Sequence, residues 1–465
     1  MSRDDDKLLR RYRYCIWLLA AAFFGAYVVI LYNRFITYRT GDDFGLFMQS
    51  LGDPSGLLRN TVEGSHYANH FSPIYDILVP PTQWTRSVIP LMAAQALAGV
   101  LAAPGLFEVG RRILPVRFAF GIACVALVYP PLVGIVCGDP YENVFAPATT
   151  VWLILAVCRR YWVAAAALAL IALAIKEDQA IFLACGALIA LWIANSERDK
   201  ALRTFSICLF AACVVTLGLY LLYIRPSIAG SVNAWPALDL AYRTTGKASD
   251  LWRRLFYLPL IMLPIAFLPL AAPRRLLLLL VAPFAEIIFA RNPAVWTVGT
   301  HYGGAWIGYV LVAAVFGLAR IFTRSADLAR RALTAAIALS VLSLLLTNVA
   351  GSDAHLGQTQ HDRYLDRILA KRLPENTTIG APEVLYGHLW KRREAELGAL
   401  QSPHYVVLDM TMTSLMSTQR MLLQLRTGEF GEYRPVWHDD GVVLFVRANH
   451  VVRIHPNMGR VEPRP

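Results

Sequence analysis

The feature that constrains this chain most is a series of long apolar runs that recur between Tyr14 and Val349. Each run approaches the roughly 20 residues that an α-helix needs to cross the hydrocarbon core of a bilayer. Because lipid offers backbone groups no hydrogen-bonding partner, helices are the structure expected for such runs. Charged residues make up only 16% of the chain, against about 25% in soluble domains. These patterns predict an α-helical polytopic membrane protein.

The apolar runs predict roughly eleven transmembrane helices. Their approximate cores are residues 14–33, 88–108, 117–136, 146–158, 161–175, 180–194, 204–224, 256–272, 276–290, 304–320 and 332–349. The expected organisation is a transmembrane domain over residues 1–349 with a first exterior loop at 34–87. A small exterior α/β domain follows over residues 350–465 and finishes in a loose C-terminal end.

The basic residues indicate how the chain crosses the membrane. The formal net charge is +12, but arginine and lysine cluster on alternate loops between the apolar runs, which is the positive-inside pattern. This placement favours membrane lipids as partners and argues against nucleic acid. It predicts a multi-pass protein of the cell (inner or plasma) membrane, with a cytoplasmic N-terminus and an exterior, periplasmic C-terminal domain. All 7 cysteines precede Val214, so no disulfide framework is expected.

Acids and histidines gather on the loops that this topology places outside. In the first loop, Asp42 and Asp43 stand just beyond the first span. A carboxylate there could act as a general base on an acceptor hydroxyl, or the two acids could open a helix and interact with its dipole. His66 and His70 would share a helix face, but no third ligand follows, so hydrogen-bonded interfacial histidines are favoured over a zinc site.

A second exterior loop, "CGDPYENVFAPA", carries Asp139 and Glu142. Convergent carboxylates of this kind can hold a divalent cation such as Mg²⁺ or Mn²⁺ through oxygen ligands. They can equally form ion pairs with nearby cations, and both interpretations stay open from the sequence alone.

The stretch "IALAIKEDQAIFLA" places Lys176, Glu177 and Asp178 between two apolar runs. Charge at membrane depth is unfavourable unless it is paired or hydrated, so a recessed site is predicted, with a structural ion pair as the alternative. A lysine beside two acids can bind a phosphate as a point charge. The loop at 291–303 adds Arg291, His301 and Tyr302. The sequence contains no motif for cytosolic nucleotide chemistry.

The tail after Ala350 alternates strand and helix patterns, which predicts a small α/β domain. "TTIGAPEVLYGHL" and "SPHYVVLDM" contain strand candidates, and "TSLMSTQRMLLQLRTGEF" has helical spacing. "YRPVWHDDGVVLFVRA" is expected to be a hairpin with Asp440 and Gly441 in the turn.

Several of these pieces together resemble the DUF2079 family of predicted prokaryotic membrane proteins. The matching stretches are "DFGLFMQSL", "HFSPIYDILVP", "DPYENVFAPA", "KEDQAIF", "THYGG" and the "VVLD" strand of the tail. The chain departs from the family pattern at Met48, where an acid is usual, and at Pro140 and Tyr141, where an aromatic residue and a histidine are usual. The resemblance therefore does not imply a metal site at those positions.

The family in turn resembles the GT-C class of integral-membrane glycosyltransferases, which use polyprenyl-phosphate sugars. This resemblance implies an inverting transferase at the exterior face, acting on an envelope glycan, lipid or protein. Asp43, with Asp42 beside it, would be the base, and Lys176 would bind the donor phosphate together with Arg291, His301 or Tyr302. His70, Glu177 and Asp178 would orient these groups. A transporter or lipid flippase and a non-enzymatic envelope assembly factor are the alternatives.

Overall fold

A computed structural model of the chain describes residues 3–229, 250–349, 356–371, 373, 377–392, 394–398, 402–412, 416–429 and 431–449. The predicted loose end and most of the predicted loop at 225–255 lie outside these residues. The chain divides into two compact units. The first comprises Met1–Ile30, Tyr67–Ile77 and Ile89–Asp353, and the second comprises Leu31–His66, Leu78–Val88 and Ala354–Pro465.

The first unit is helical throughout the described residues. Its helices are Arg3–Ile36 (which continues into the second unit), Ile89–Val100, Ala102–Gly110, Val116–Val128, Pro130–Cys137, Ala146–Cys158, Trp162–Leu173, Glu177–Glu197, Lys200–Leu219, Arg225–Ala229, Leu251–Met262, Arg274–Leu277, Val281–Phe289, Gly304–Arg324 and Ala326–Thr347. Each of the eleven predicted cores coincides with one of these helices or with a run of them.

Six described helical stretches are long and apolar enough to cross a membrane. They are Asp5–Ile36, Ile89–Gly110, Glu177–Glu197, Lys200–Ala229, His301–Arg324 and Ala326–Thr347, and the pair Val116–Val128 and Pro130–Cys137, bent by 45°, would make a seventh. The bend lies at two consecutive prolines, which lack the backbone N–H that a helix needs. The predicted helical membrane fold is confirmed, whereas the number of eleven spans stays a prediction.

The helix Gly304–Arg324 forms the centre of the first unit. It is apolar around most of its circumference and buried over most of its length, as expected for a helix enclosed by others. It packs on the helix Ala146–Cys158 and on the 3₁₀ turn Leu268–Ala271. Gly317 allows the closest approach, since a Cβ there would collide with the backbone carbonyl of Leu268.

One carboxylate joins three of the predicted basic segments. Glu108 accepts hydrogen bonds from Arg13 at 2.8 Å, from Arg111 at 2.6 Å and from Arg159 at 2.5 Å. These arginines come from the N-terminal segment and from two separate loops that the charge pattern assigned to one side. Their convergence places the three segments at the same end of the helical unit.

The second unit contains a five-stranded mixed sheet. Its strands, in spatial order, are Ala395–Leu397, Ile379–Ala381, Tyr405–Asp409, Val442–Arg447 and Tyr433–Asp439. The first three are parallel and the last two form the predicted antiparallel hairpin. Asp440 and Gly441 both have positive φ in its turn, as the two-residue hairpin requires. The expected small C-terminal α/β fold is therefore confirmed, while strand Ala395–Leu397 was not predicted.

Helices cover both faces of this sheet. Side chains alternate along the strand Tyr405–Asp409, so Val407 faces the core containing helix Gln360–Lys371 and the segment Glu383–Leu389, while Val406 faces helix Met416–Thr427. Alternation of this kind follows from the two-residue period of a strand.

Segments of the predicted first loop belong to this second unit. They form the helices Asp42–Gly52 and Val79–Thr85 and the small hairpin of Arg59–Asn60 with Gly64–Ser65, and the short helix His66–Asn69 follows. The buried amide of Gln49 connects them to the tail: its Nε2 donates to the carbonyl of Ala395 at 2.9 Å, and its Oε1 accepts from the Tyr386 hydroxyl at 2.6 Å.

Replacing Gly317 by alanine should destabilise the first unit by roughly 1–3 kcal/mol, because the added methyl group overpacks a helix contact. The matched control is Gly25→Ala, since no atom lies within 4 Å of a Cβ built at that exposed helical position. Thermal unfolding of the detergent-purified proteins measures the difference. Equal melting temperatures for the two variants would contradict the close packing at Gly317.

Candidate functional site

The candidate site is built around the break between the helices Trp162–Leu173 and Glu177–Glu197. The backbone of Lys176 is extended, and the second helix begins with Glu177 and Asp178 in its first turn. Acids at a helix N-terminus interact favourably with its dipole, which explains why the helix begins here without a glycine or proline turn. Lys176 and Glu177 are only 5% and 2% exposed, so these charges are recessed within the protein.

Lys176 forms a buried ion pair with a carboxylate from another predicted exterior loop. Its Nζ lies 3.0 Å from Oε1 of Glu142, and Glu142 is completely buried at the start of the 3₁₀ helix Glu142–Phe145. Removing both charges from water is unfavourable, and only close mutual contact compensates for it. The contact therefore gives each of these two buried groups an oppositely charged partner.

Glu177 is satisfied by a third segment. Its Oε1 lies 2.9 Å from Nδ1 of His70, and its Oε2 accepts a hydrogen bond from the backbone N–H of Phe71 at 2.8 Å. Both carboxylate oxygens are thus engaged, and the imidazole is fixed in orientation. His70 lies beyond the end of the short helix His66–Asn69, so the two histidines are not a one-helix pair.

A fourth segment contributes aromatic rings. His301 begins the 3₁₀ helix His301–Gly303, and its imidazole stacks on the ring of Tyr141 with centroids 3.5 Å apart. The hydroxyl of Tyr302 accepts a hydrogen bond from the Asn292 amide at 3.4 Å. Asp178 accepts from the Gln179 amide at 3.1 Å. Within the first unit, side chains from four of the predicted exterior loops therefore form one cluster, whose centre at Lys176, Glu142 and Glu177 is buried.

Not every predicted residue belongs to this cluster. Arg291 is exposed, and within the described part of the chain it forms no hydrogen bond or ion pair with the cluster residues. Asp139 is half-buried in the loop that precedes Glu142. Asp42 and Asp43 lie in the second unit, in the first turn of the helix Asp42–Gly52, where the N-cap is Gly41 and the N–H of Asp43 donates to the Asp42 carboxylate at 3.0 Å.

Two buried arginines and one partly buried glutamate escaped prediction. Arg225 donates from Nε to the carbonyl of Ala68 at 3.1 Å, and Arg254 donates from Nη1 to the carbonyl of Ile288 at 3.1 Å. Both residues are more than nine-tenths buried, and neither has a carboxylate partner among the described residues. Glu286 lies within electrostatic reach of Lys176 and Asp178.

The missed residues carried a weak signal in the sequence. Arg225 and Arg254 stand at the two ends of the segment predicted as an exterior loop, where a solvated arginine is the ordinary expectation. Glu286 is a lone acid inside an apolar run. An ionisable residue at such a position indicates a functional site by default, and that rule would have selected Glu286.

The cluster does not favour a metal ion at Glu142. Carboxylate oxygens are the right ligands for Mg²⁺ or Mn²⁺, but the Lys176 ammonium already lies 3.0 Å from Oε1 of Glu142. A divalent cation at this carboxylate would be repelled by that ammonium. The assignment of Asp139 and Glu142 as metal ligands stays a prediction.

Comparison with known proteins adds two findings. The profile of the family described as predicted membrane protein (DUF2079) matches residues 38–444. Among solved structures, the chain is similar to ArnT from Cupriavidus metallidurans bound to undecaprenyl phosphate, with a TM-score of 0.59 and 12% identity. That alignment covers 92% of this chain and 98% of ArnT, which confirms the GT-C-like fold. No curated protein matches the sequence.

Lys176→Met should destabilise the protein by about 3–5 kcal/mol, because it leaves the Glu142 carboxylate buried without its counter-charge. The double variant Lys176→Met with Glu142→Gln should recover most of that loss, since it removes both charges. Thermal unfolding in detergent, arranged as a double-mutant cycle, measures the coupling. Additive effects of the two substitutions would show that the pair is not an energetic unit.

Proposed function

The chain belongs to the DUF2079 family of predicted membrane proteins, and from its buried charged cluster we propose that it is a membrane glycosyltransferase. In this proposal it transfers a sugar from a polyprenyl-phosphate donor to a cell-envelope acceptor at the exterior membrane face. The acceptor is an envelope glycan, lipid or protein. The N-terminus is cytoplasmic in the same proposal, and the C-terminal domain is periplasmic or exterior.

One observation carries the proposal. The buried residues Lys176, Glu142 and Glu177 form a cluster with the half-buried His70. The chain that holds this cluster resembles in fold a protein bound to undecaprenyl phosphate. A buried ion pair adds little net stability compared with apolar packing. Such a cluster in an apolar environment is therefore better explained by a ligand site than by scaffolding alone.

The phosphate of the donor needs contacts with positively charged side chains. Two buried residues of the first unit, Lys176 and Arg254, are the candidates. Lys176 is surrounded by acids, so a phosphate beside it would face their repulsion as well as its attraction. Arg254 is a better anchor, because its guanidinium is buried and has no acidic partner in the described ranges. A fixed guanidinium in a dry site stabilises the negative charge that develops on the departing phosphate.

The acceptor requires a base. In the proposed reaction, Asp43 removes the proton from the acceptor hydroxyl while the oxygen attacks the anomeric carbon on the face opposite the phosphate. The bond between that carbon and the phosphate oxygen breaks, and the anomeric configuration inverts. No covalent intermediate is needed, and no step is assigned to a metal ion. His70, positioned by Glu177, would orient the acceptor.

Deleting the gene should cause a polyprenyl-phosphate-linked sugar to accumulate, because its consumer is lost. Mass spectrometry of membrane lipids from the deletion strain, the complemented strain and an Asp43→Asn strain tests this. Asp439→Asn is the matched control, since Asp439 is an exposed acid on a strand of the same unit. The lipid should accumulate in the deletion and Asp43→Asn strains and clear in the other two.

The same experiment separates the alternative functions. Identical lipid profiles in all four strains, with the protein present in each complemented strain, would rule out a polyprenyl-sugar donor and favour an assembly factor. Accumulation in the deletion strain that Asp43→Asn fully reverses would exclude Asp43 as the base and favour a transporter of the lipid.

Arg254→Gln should lower kcat/KM for the lipid donor at least tenfold, because a hydrogen bond to a charged group is worth about 1.5–3 kcal/mol. The neighbouring Arg253→Gln is the matched control, since the Arg253 side chain is 57% exposed. Transfer assays in proteoliposomes with the accumulated lipid measure both variants. Equal losses for Arg253→Gln and Arg254→Gln would contradict the role assigned to Arg254.

A further inference from the structure

The second unit contains a cavity of about 690 Å³ that the proposed chemistry has not used. Its volume falls within the roughly 300–1,000 Å³ of small-molecule sites. The helix Asp42–Gly52, the small hairpin near Arg59, the helix Val79–Thr85 and the loop at Trp390 all contribute to its wall. All of these segments belong to one unit, so the cavity is a property of that unit alone.

The floor of the cavity is buried and polar around an aromatic ring. Gln49, Asn60, Thr82 and Trp390 are each less than 9% exposed. Gln49 is held by the Tyr386 hydroxyl at 2.6 Å and by the backbone N–H of Thr61 at 3.2 Å. This network satisfies the planar amide and fixes it as part of the cavity wall.

Thr82 supplies an unused polar group. The residue is fully buried against the cavity, and its hydroxyl has no hydrogen-bonding partner within the described part of the chain. A buried hydroxyl left without a partner is unfavourable by about 1–3 kcal/mol. A ligand hydroxyl at the bottom of the cavity would relieve that penalty.

The rim is charged and predominantly basic. Arg59, Arg86 and Lys391 are exposed, whereas Asp53 is the one acid among the lining residues described. Hydrogen bonds from Ser55 and the Arg59 backbone outweigh the effect of burial and lower the pKa of the Asp53 carboxyl. Three cations against one carboxylate give the rim a positive field, which attracts anionic groups.

Gly52 leaves space beside the aromatic ring. A Cβ at this last residue of its helix would lie 3.4 Å from the Trp390 ring. Because glycine has no side chain, that edge of the indole borders the cavity. The indole offers an apolar surface next to polar groups, which suits a ligand with both an apolar face and hydroxyl edges.

We propose that this cavity binds an anionic saccharide, a sugar unit carrying phosphate or carboxylate groups, and that it is the acceptor-recognition site. A sugar ring has C–H groups for the indole and a hydroxyl for the unpartnered Thr82, and its anionic group pairs with Arg59 or Arg86. A plain phospholipid headgroup could pair with the arginines of the rim, but it has no sugar ring to contact the floor of the cavity. The acceptor role rests on the proposed transferase function, whereas saccharide binding does not.

Isothermal titration calorimetry on the full-length protein in nanodiscs tests the site. The probes are trigalacturonate and glucose 6-phosphate as anionic saccharides, maltotriose as a neutral one, and inorganic phosphate alone. Both anionic saccharides should bind at millimolar concentrations or below. Maltotriose has no anionic group for the basic rim, and inorganic phosphate has no sugar ring for the floor. Each should therefore bind about tenfold more weakly than the anionic saccharides.

Two variants locate the binding. Gly52→Leu fills the space beside Trp390 and should abolish saccharide binding without removing any hydrogen bond of the floor. Arg59→Gln combined with Arg86→Gln should weaken the anionic saccharides about tenfold and leave maltotriose unchanged. Arg434→Gln is the control, since Arg434 is exposed on a strand of the same unit and does not line the cavity. Melting temperatures confirm that each variant is folded.

Three results would overturn the proposal. The first is anionic saccharide binding that survives Gly52→Leu, which would place the site elsewhere. The second is that inorganic phosphate binds as tightly as glucose 6-phosphate, which would show that the cavity recognises an anion and not a sugar. The third is no binding of any probe by the folded wild-type protein.

The result of the saccharide-binding experiment does not depend on the result of the lipid analysis that tests the transferase function. The lipid-linked sugar could accumulate in the deletion strain while the purified protein binds no saccharide. That result would support the transferase function and contradict the saccharide site. The opposite result is saccharide binding that Gly52→Leu abolishes, together with a lipid profile that is unchanged by deletion of the gene. It would support the saccharide site and contradict the transferase function.

Discussion

Every polar group that this chain places among its apolar helices must find its partner within the protein, because lipid provides none. The Gln95 amide donates to the carbonyls of Val136 at 2.8 Å and Gly138 at 3.0 Å, at the C-terminal end of the bent helix pair. The Tyr129 and Ser340 hydroxyls donate to backbone carbonyls at 2.7 Å. Such contacts allow the first unit to contain breaks, bends and 3₁₀ turns without leaving these carbonyls unsatisfied.

The same requirement gives the first unit two contrasting groups of charges. In one, three arginines surround the single carboxylate of Glu108. In the other, Lys176 lies among carboxylates from three segments, including Glu142 and Glu286. The arginine group is partly exposed and joins loop segments, whereas the lysine cluster is buried and contributes little net stability. This difference is why the lysine cluster, and not the arginine group, is the candidate for ligand chemistry.

Much of the secondary structure was predictable because its signal is local. Apolar runs coincide with helices in the first unit, and the short apolar run in "HYVVLDM" coincides with the central strand of the sheet. The strand Ala395–Leu397 was missed because it has only three residues, too few to show a period. The buried state of Arg225 and Arg254 was missed because their sequence environment is that of an ordinary loop end. Arg291 has the same kind of environment and is exposed.

The sequence by itself determined that the chain folds as membrane helices followed by a small α/β sheet, because hydrophobic periodicity and turn residues act over short distances. It also identified the loops on which the polar residues lie. Only the tertiary structure decided that Lys176 pairs with Glu142, that His70 pairs with Glu177, and that a cavity forms beneath Arg59 and Arg86. These contacts join residues distant in the chain, and their geometry depends on how whole helices pack, which no local pattern encodes.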